Sequence, residues 1–300
     1  NVIQSVKQTG WRIRRPNATT HRPSIIPEPG VVTVYKHFYG LTFNPFDKSA
    51  PVKDAFQSRD HLEVQNRLAF LKNTRGIGLI TAPPGMGKTF ALRCFSDSLN
   101  PNLCQMFYTC LSTISVTEFY RQLCTQLGLD AGGRKSLMYG SIQERLRYLL
   151  KEKHRTIFVV VDECQYLGTD ILRDFKLLMN QDYDSLDCFA LVMVGLPHMN
   201  AVLEKPVHEA LKQRIVVHYN YNGLSADETA EYIYSRIDAA GGARSIIDDA
   251  ALRAVTGYCQ GTPRIINSVM SNALILGAQL KKQCIDSETI LAASNSITLG

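Results

Sequence analysis

The amino-acid sequence predicts an α/β fold with a parallel sheet, followed by a helical region. Short apolar, β-branched runs, such as residues 77–81 and 156–161, alternate with amphipathic helical stretches as far as residue 219. This alternation is typical of parallel sheets that are covered by helices on both faces. From Ser225 onwards the strand pattern stops and helix-capping signals recur instead. Each of these two apolar runs is followed by a motif that is typical of an active site.

The first motif follows residues 77–81 and reads Ala82-Pro-Pro-Gly-Met-Gly-Lys-Thr89 before a helical run from Phe90. A strand, a Gly-rich turn, Gly-Lys-Thr and a helix form the order of a phosphate-binding P-loop. Backbone N–H groups of such a turn and of the helix N-terminus converge on an anion. Lys88 is predicted to contact the β- and γ-phosphates of ATP, and Thr89 to hold Mg²⁺. The predicted nucleotide-binding residues of this segment are Pro83, Pro84, Gly85, Met86, Gly87, Lys88, Thr89 and Phe90.

The usual first Gly of the P-loop pattern is replaced by Ala82. Alanine is accommodated there if its φ angle is negative. The substitution therefore leaves the P-loop prediction in place.

The second motif is the acidic pair Asp162-Glu163, which directly follows the apolar run 156–161. Such a run is typical of a strand buried on both faces, and ligands bind at the carboxyl ends of these strands. Asp162 is predicted to hold Mg²⁺, and Glu163 to polarise the water that attacks ATP. A strand followed by an acidic helix cap would give the same dipeptide, but the upstream P-loop favours the metal site.

The composition is that of a globular protein, with 300 residues, 45% of them hydrophobic and 20% charged. The apolar runs are much shorter than the roughly 20 residues that span a bilayer, so no membrane partner is expected. The eight cysteines show no metal-binding spacing, and reduced thiols favour a bacterial cytoplasmic location.

The first predicted unit is an extended basic arm over residues 1–36, which contains several prolines. The arm could lie on a phosphate backbone or an acidic partner, and a solvated tail explains it equally well. The formal net charge of the whole chain is +6. Two further units are predicted, a nucleotide-binding α/β domain over residues 37–222 and a helical lid over residues 223–300.

Within the α/β domain we predict helices over residues 58–72, 89–99, 116–127, 141–151 and 170–180, and strands over 104–110, 189–194 and 215–219. Residues 128–140 are predicted to form a Gly-rich loop, and Ser141 with Glu144 a capping box for the helix that follows. In the lid, helices are predicted to begin near Ser225, Asp248, Pro263 and Asp286.

Five further motifs resemble one family when they are taken in order along the chain. They are Tyr39-Gly-Leu-Thr-Phe-Asn-Pro-Phe46, Phe56-Gln-Ser-Arg-Asp-His61, Val194-Gly-Leu-Pro-His198, Gln213-Arg214-Ile215 and Gly261-Thr-Pro-Arg264. With the P-loop and the acidic pair they resemble AAA+ ATPases, and within these the ExeA-like group, over about residues 37–295. This group includes a secretion ATPase and transposition regulators resembling TnsC, TniB, IstB and the phage Mu B protein. The resemblance implies a P-loop AAA+ sheet core with a C-terminal helical lid.

The resemblance also implies roles for individual residues. Arg214 matches the arginine finger that reaches the γ-phosphate of a neighbouring subunit, and a helix-end arginine is the alternative. Arg264 matches the sensor II arginine of the lid, and a solvent-facing first-turn residue is its alternative. Phe43, Phe46 and His61 would lie near the adenine, although such an aromatic cluster is more often simply part of the core. Leu196 stands where a polar sensor I side chain is usual.

Two functions are implied by this group. In one, an ATP-dependent homo-oligomer, a hexameric ring or a helical filament, binds double-stranded DNA and works with a transposase and a target-selection factor. In the other, the chain is an ATPase that acts in secretion at the cell envelope. Secretion members usually continue beyond the lid into a membrane span and a peptidoglycan-binding region, and neither follows the lid in this sequence, so we expect the DNA function.

The DNA-binding members of the group contact DNA with elements that follow the second strand. The corresponding residues here supply hydroxyl groups and positive charge suited to phosphate contacts. They are Thr113, Ser115, Thr117, Arg121, Arg134 and Lys135. A solvated loop with ordinary basic residues is the alternative interpretation.

Overall fold

The computed structural model describes residues 31–48, 51–110, 115–180 and 186–297. The first 30 residues of the predicted arm, and Thr113 of the predicted DNA surface, lie outside the described residues. No helix within the described ranges is both long enough and apolar enough to cross a membrane.

A five-stranded sheet forms the centre of the molecule, with the strand order β2-β3-β4-β1-β5 and parallel pairing throughout. Its strands are β1 (Gly76–Thr81), β2 (Cys104–Cys110), β3 (Thr156–Asp162), β4 (Ala190–Gly195) and β5 (Ile215–Asn220). The predicted α/β class is confirmed. Because every pair is parallel, the P-loop after β1 and the acidic pair of β3 lie at the same edge of the sheet, on either side of β4.

Helices cover both faces of the sheet. They are α2 (Arg59–Thr74), α3 (Lys88–Ser98), α4 (Val116–Gln126), α5 (Lys135–Lys151), α6 (Thr169–Met179), α7 (His198–Leu203) and α8 (Glu209–Lys212). Alternate β3 residues point to opposite faces: Val159 joins the core beneath α4, α5 and α6, and Phe158 the core beneath α2 and α3. On the second face Phe158 packs edge-on against Phe95 of α3, with ring centroids 5.3 Å apart.

The remaining helices form a unit of their own. They are α9 (Ala226–Ala239), α10 (Asp249–Cys259), α11 (Pro263–Gln279) and α12 (Ser287–Asn295), with α1 (Val31–Phe38) packed against α11. Tyr35, Tyr39 and Phe46 are buried in the same core as α9–α12. The predicted extended arm is therefore wrong from residue 31 onwards, because this segment is helical and packs on the lid.

A buried carboxylate fixes the backbone of the segment that connects β5 to the lid. Asp60, at the start of α2, accepts hydrogen bonds from the N–H groups of Asn222 (2.9 Å) and Gly223 (2.8 Å) and from the Tyr219 hydroxyl (2.7 Å). Gly223 has a φ of 86°, which favours glycine. A Cβ there would also lie 3.0 Å from the Gly261 carbonyl oxygen. The segment that connects β5 to the lid is therefore fixed beside β1, the strand that precedes the P-loop.

The predicted loop over residues 128–140 is wrong at its end, because α5 begins at Lys135. Ser141 and Glu144 lie inside α5 and do not cap it. The buried spacing of Met138, Ile142, Leu146 and Leu149 continues the helix through Gly140. The Lys135 ammonium also lies 2.5 Å from a carboxylate oxygen of Asp174 on α6.

We expect Lys135→Ala to destabilise the fold, because the Asp174 side chain is only 6% exposed and would lose its cationic partner. The Lys135 side chain is 44% exposed, so the expected loss is modest, about 1–2 kcal/mol. Thermal unfolding should show Tm lowered by about 2–6 °C. Lys153→Ala, at an exposed lysine, should leave Tm almost unchanged. Equal Tm values for the two variants would contradict the role given to the ion pair.

Candidate nucleotide-binding and active site

A cavity of about 1250 Å³ opens between the carboxyl edge of the sheet and the lid. Residues of the P-loop and of α11 line it. Most of the residues predicted to bind or hydrolyse ATP line it, namely Phe46, His61, Pro84, Gly85, Met86, Gly87, Lys88, Thr89, Phe90, Glu163 and Arg264. Pro83 and Arg214 are not among the described residues that line it.

The turn before α3 has the backbone of an anion site. Gly85 and Gly87 have φ angles of 83° and 89°, a conformation that L side chains rarely adopt. Gly87 caps α3 without a side-chain acceptor, and the first turn of α3 contains no acid. Its N–H groups are therefore suited to a phosphate. Ala82 is buried and has no positive φ, so it fits where the pattern usually has glycine.

Lys88 is a buried cation inside this turn. Its ammonium donates to the carbonyl oxygens of Ala82 (2.8 Å) and Pro83 (3.2 Å). Burial lowers the pKa of Lys88, Arg264 lowers it further, and the nearby Glu163 and Asp162 carboxylates oppose the shift. A polyphosphate would give this cation a stronger partner than the carbonyl groups provide. The residues present therefore fit a nucleoside triphosphate.

Asp162 is 2% exposed and lies where three elements meet. One of its carboxylate oxygens accepts from the Thr89 hydroxyl (2.7 Å) and the Tyr108 hydroxyl (2.7 Å), and the other from the Glu163 N–H (2.9 Å). Burial and the bond to Asp162 raise the pKa of Tyr108. Sequence reasoning missed Tyr108, and its only signal is a polar aromatic side chain near the end of β2.

The Thr89 and Asp162 oxygens fit a magnesium ion that is shared with phosphate groups. Mg²⁺ is usually held by one or two protein oxygens, with phosphates and water completing its shell. No group of three or more His, Cys, Asp or Glu side chains in the described ranges could hold a metal. A metal at this site would therefore depend on the nucleotide for its remaining ligands.

A left-handed backbone conformation and the side-chain amide of Gln165 fix the position of Glu163. Its φ of 56° is left-handed, a strained conformation that clusters at functional sites. Its carboxylate accepts from the Gln165 side-chain amide (2.7 Å), and the Gln165 carbonyl oxygen accepts from the Leu196 N–H (3.0 Å). Sequence reasoning missed Gln165, whose only signal is an amide two residues after the acid.

The lid contributes two arginines to the cavity wall. Arg264, in the first turn of α11, rests on the P-loop: its N–H donates to the Gly85 carbonyl (3.2 Å), and a Cβ on Gly85 would lie 2.8 Å from the Arg264 Cβ. Arg236 is buried and donates to the Pro45 carbonyl oxygen (2.6 Å). A ligand in the cavity would therefore touch both units of the protein. Phe46 and His61 line the same cavity.

Arg214 lies between α8 and β5, where its carbonyl oxygen accepts from the Ile77 N–H (3.2 Å). Because Arg214 does not line the cavity of its own chain, its contact with the nucleotide of a neighbouring subunit stays a prediction.

Two of the predicted DNA-binding residues have other partners in the structure. The Ser115 hydroxyl forms a capping box with Glu118 at the start of α4, and Lys135 pairs with Asp174. We therefore withdraw Ser115 and Lys135 from the predicted DNA surface. Thr117 in the first turn of α4, and the exposed Arg121 and Arg134, remain. Helices α4 and α5 pack against each other, which places these residues on one part of the molecule.

The parallel sheet, the P-loop and the acidic pair at the end of β3 are features of the AAA+ fold. Residues 71–203 match the family model of the AAA domain AAA_22. The predicted resemblance to AAA+ ATPases is thereby confirmed.

Two curated relatives represent both branches of the predicted group. The chain is 29% identical over 245 residues to General secretion pathway protein A of Aeromonas hydrophila, covering 81% of this chain and 44% of that protein. It is 28% identical over 116 residues to ATP-dependent target DNA activator B of Escherichia phage Mu, covering 39% of this chain and 35% of that protein. The chain thus matches less than half the length of each relative.

Solved structures show the same fold. The chain resembles Cdc6p of Pyrobaculum aerophilum with a TM-score of 0.61 and 17% identity, over 85% of this chain and 71% of that one. It resembles the Aeropyrum pernix ORC1 protein, solved in complex with DNA, with a TM-score of 0.62 and 16% identity, over 84% and 68%. At these identities the likeness supports the AAA+ fold alone.

We expect Lys88→Ala to weaken ATP binding by about 30-fold or more, because it removes a buried cation that faces the phosphates. Titration with a fluorescent ATP analogue measures the effect, and Lys153→Ala serves as the exposed-lysine control. An unchanged dissociation constant in a folded Lys88→Ala protein would contradict the P-loop assignment.

Proposed function

We propose that this chain is an ATPase whose ATP-bound homo-oligomer binds double-stranded DNA and regulates transposition. In this role it marks target DNA and recruits a transposase and a target-selection factor. The observation that carries the proposal is the hydrogen bond from Tyr108 to Asp162. Tyr108 lies on β2, which leads through residues 111–114 into α4. The proposed metal ligand and the proposed DNA surface are therefore joined by one short stretch of chain.

The proposed reaction is the hydrolysis of ATP to ADP and phosphate, with Mg²⁺ as the metal. The oxygen of a water molecule forms a bond to the γ-phosphorus while the bond to the β–γ bridging oxygen breaks, and that oxygen leaves with ADP. Glu163 orients the water and accepts its proton. Lys88 and Arg264 both line the cavity and would neutralise negative charge on the phosphates.

The position of Arg214 supports the proposed oligomer. This arginine lies outside the cavity of its own chain, next to the edge strand β5. A neighbouring subunit that packs on this side would receive Arg214 at its nucleotide. A cation supplied in this way can raise the rate of hydrolysis by orders of magnitude. ATP would thereby favour assembly.

The DNA surface consists of Thr117, Arg121 and Arg134, at the start of α4 and immediately before α5. Hydroxyl and guanidinium groups bind phosphate oxygens without reading bases. Binding should therefore tolerate any sequence and weaken strongly with salt. The similarity to the Mu target DNA activator B supports this assignment.

The alternative is a secretion ATPase that acts at the cell envelope. The longer match favours it, because the similarity to General secretion pathway protein A spans 245 residues, against 116 for the Mu protein. The two functions share the ATP site and differ in the surface at α4 and α5. An experiment on DNA binding therefore separates them.

Replacing Arg121 and Arg134 together by Ala should weaken binding to any DNA duplex by about tenfold and lower the slope of log K against log salt by about 2. Fluorescence anisotropy over a salt series measures both, and ATP affinity should stay unchanged. Arg173→Ala with Arg253→Ala removes two exposed arginines of α6 and α10 and is the matched control. Wild-type protein that binds no DNA at low salt would favour the secretion function.

Glu163→Gln should bind ATP like wild type, lose at least about 100-fold in turnover, and hold the ATP-bound oligomer. The exchange removes the base while Thr89 and Asp162 remain. Phosphate release and analytical ultracentrifugation measure the two effects, with Glu231→Gln on the exposed side of α9 as control. Equal turnover in wild type and Glu163→Gln would remove Glu163 from the mechanism.

A further inference from the structure

Gln165 connects two parts of the site that are separate along the chain. Its amide nitrogen lies 2.7 Å from the Glu163 carboxylate, and its amide oxygen lies 3.0 Å from the backbone nitrogen of Leu196. Leu196 follows directly after β4, the strand between the P-loop strand and the strand of the acidic pair. One side chain therefore links the proposed base to the end of the central strand.

The polarity of this link is fixed by its end groups. The Leu196 N–H can only donate, so it must face the amide oxygen of Gln165. The amide nitrogen must then face Glu163, to which it donates a hydrogen bond. That bond fixes the direction of the Glu163 carboxylate, which a general base needs in order to meet its water molecule.

The backbone on both sides makes room for Gln165. A Cβ on Gly195 would lie 2.6 Å from the Gln165 amide oxygen and 2.7 Å from the Cys164 sulfur. Gly195 is thus required by space at this position. On the other side, the left-handed backbone of Glu163 turns the chain out of β3 and into the short helical turn Cys164–Tyr166. Both features permit the close contact between Gln165 and the end of β4.

Gln165 itself is not among the described residues that line the cavity, whereas Glu163 and Leu196 are. A ligand in the cavity would therefore touch Glu163 and Leu196 but not Gln165. This arrangement suits a residue that acts through Glu163.

We propose that Gln165 is a positioning residue, which holds the Glu163 carboxylate aimed into the cavity and couples it to the end of β4. The proposal rests on the proposed function, in which Glu163 accepts the proton of the attacking water. In this proposal the Gln165 amide aligns the base Glu163, and the P-loop binds the nucleotide.

Three variants test this role. Gln165→Leu removes both hydrogen bonds at similar volume. Gln165→Glu keeps an acceptor for the Leu196 N–H and places a second carboxylate against Glu163. Gly195→Ala leaves Gln165 in the sequence and displaces its side chain. Gln143→Leu is the matched control, since Gln143 is also a partly buried glutamine whose amide donates, here to Tyr139 (2.7 Å), and it does not line the cavity.

The readouts are kcat for ATP, the dissociation constant of a non-hydrolysable ATP analogue, and Tm. Gln165→Leu and Gly195→Ala should lower kcat about tenfold or more, because general-base catalysis supplies about 100-fold or more, and leave the dissociation constant within about twofold. In Gln165→Glu the second carboxylate repels the Glu163 carboxylate instead of donating to it, so kcat should fall about tenfold or more at an unchanged dissociation constant. A role in stability alone would lower Tm without lowering kcat of the folded protein.

Wild-type kcat in Gln165→Glu would overturn the proposal, and this isosteric variant carries the test if Gln165→Leu does not fold. Glu163→Gln, measured beside it, separates the positioning role of Gln165 from the proposed mechanism. If Glu163→Gln is inactive while the Gln165 variants behave as wild type, only the positioning role fails. If Glu163→Gln keeps full turnover, the proposed mechanism fails and the role of Gln165 fails with it.

Discussion

The buried carboxylate of Asp162 is the constraint on which the rest of the site depends. It accepts hydrogen bonds from Thr89 at the start of α3, from Tyr108 on β2 and from the Glu163 backbone. An ionised group in the interior is stable only when it has such partners. These three contacts therefore fix the P-loop helix and β2 relative to β3. Any ligand that takes over the Thr89 or Asp162 oxygens must rearrange these contacts.

Several contacts attach the lid to this centre. The Asp60 carboxylate holds the backbone of Asn222 and Gly223, and Arg264 rests directly on Gly85 of the P-loop. The cavity has walls from both units. Because α1 and the chain that follows it to Phe46 belong to the core of the lid, we expect this segment to move with the lid if the cavity closes. The proposed nucleotide site therefore lies between the two units.

The order of strands and helices could be predicted from the sequence because local patterns are strong here. The apolar run of β3 and the glycines of the P-loop specify both their conformation and their position at the carboxyl edge. The capping residues Ser225 and Asp248 marked helix starts that the structure confirms. The start of α5 could not be predicted, because it depends on Lys135 meeting Asp174 from another helix. The helix α1 was missed for a similar reason, since its partners lie in α9–α12.

The positions of the candidate site residues were predictable where one motif carries them, as for Lys88, Thr89, Asp162 and Glu163. Tyr108 and Gln165 were missed, because each has a contact with a residue that is distant in sequence: Tyr108 is 54 positions from Asp162, and Gln165 is 31 positions from Leu196. Ser115 was assigned to DNA from its hydroxyl group, but three residues later Glu118 completes a capping box. Whether such a hydroxyl caps its own helix or binds a ligand depends on the geometry of the helix start.

In the proposed function, ATP controls the assembly of this chain on double-stranded DNA. Electron microscopy of the wild-type protein with a DNA duplex, with and without a non-hydrolysable ATP analogue, tests this dependence. We expect ordered rings or filaments on the duplex only when the nucleotide is present. Single, unassembled particles under both conditions, or equal coating of the DNA without nucleotide, would contradict it.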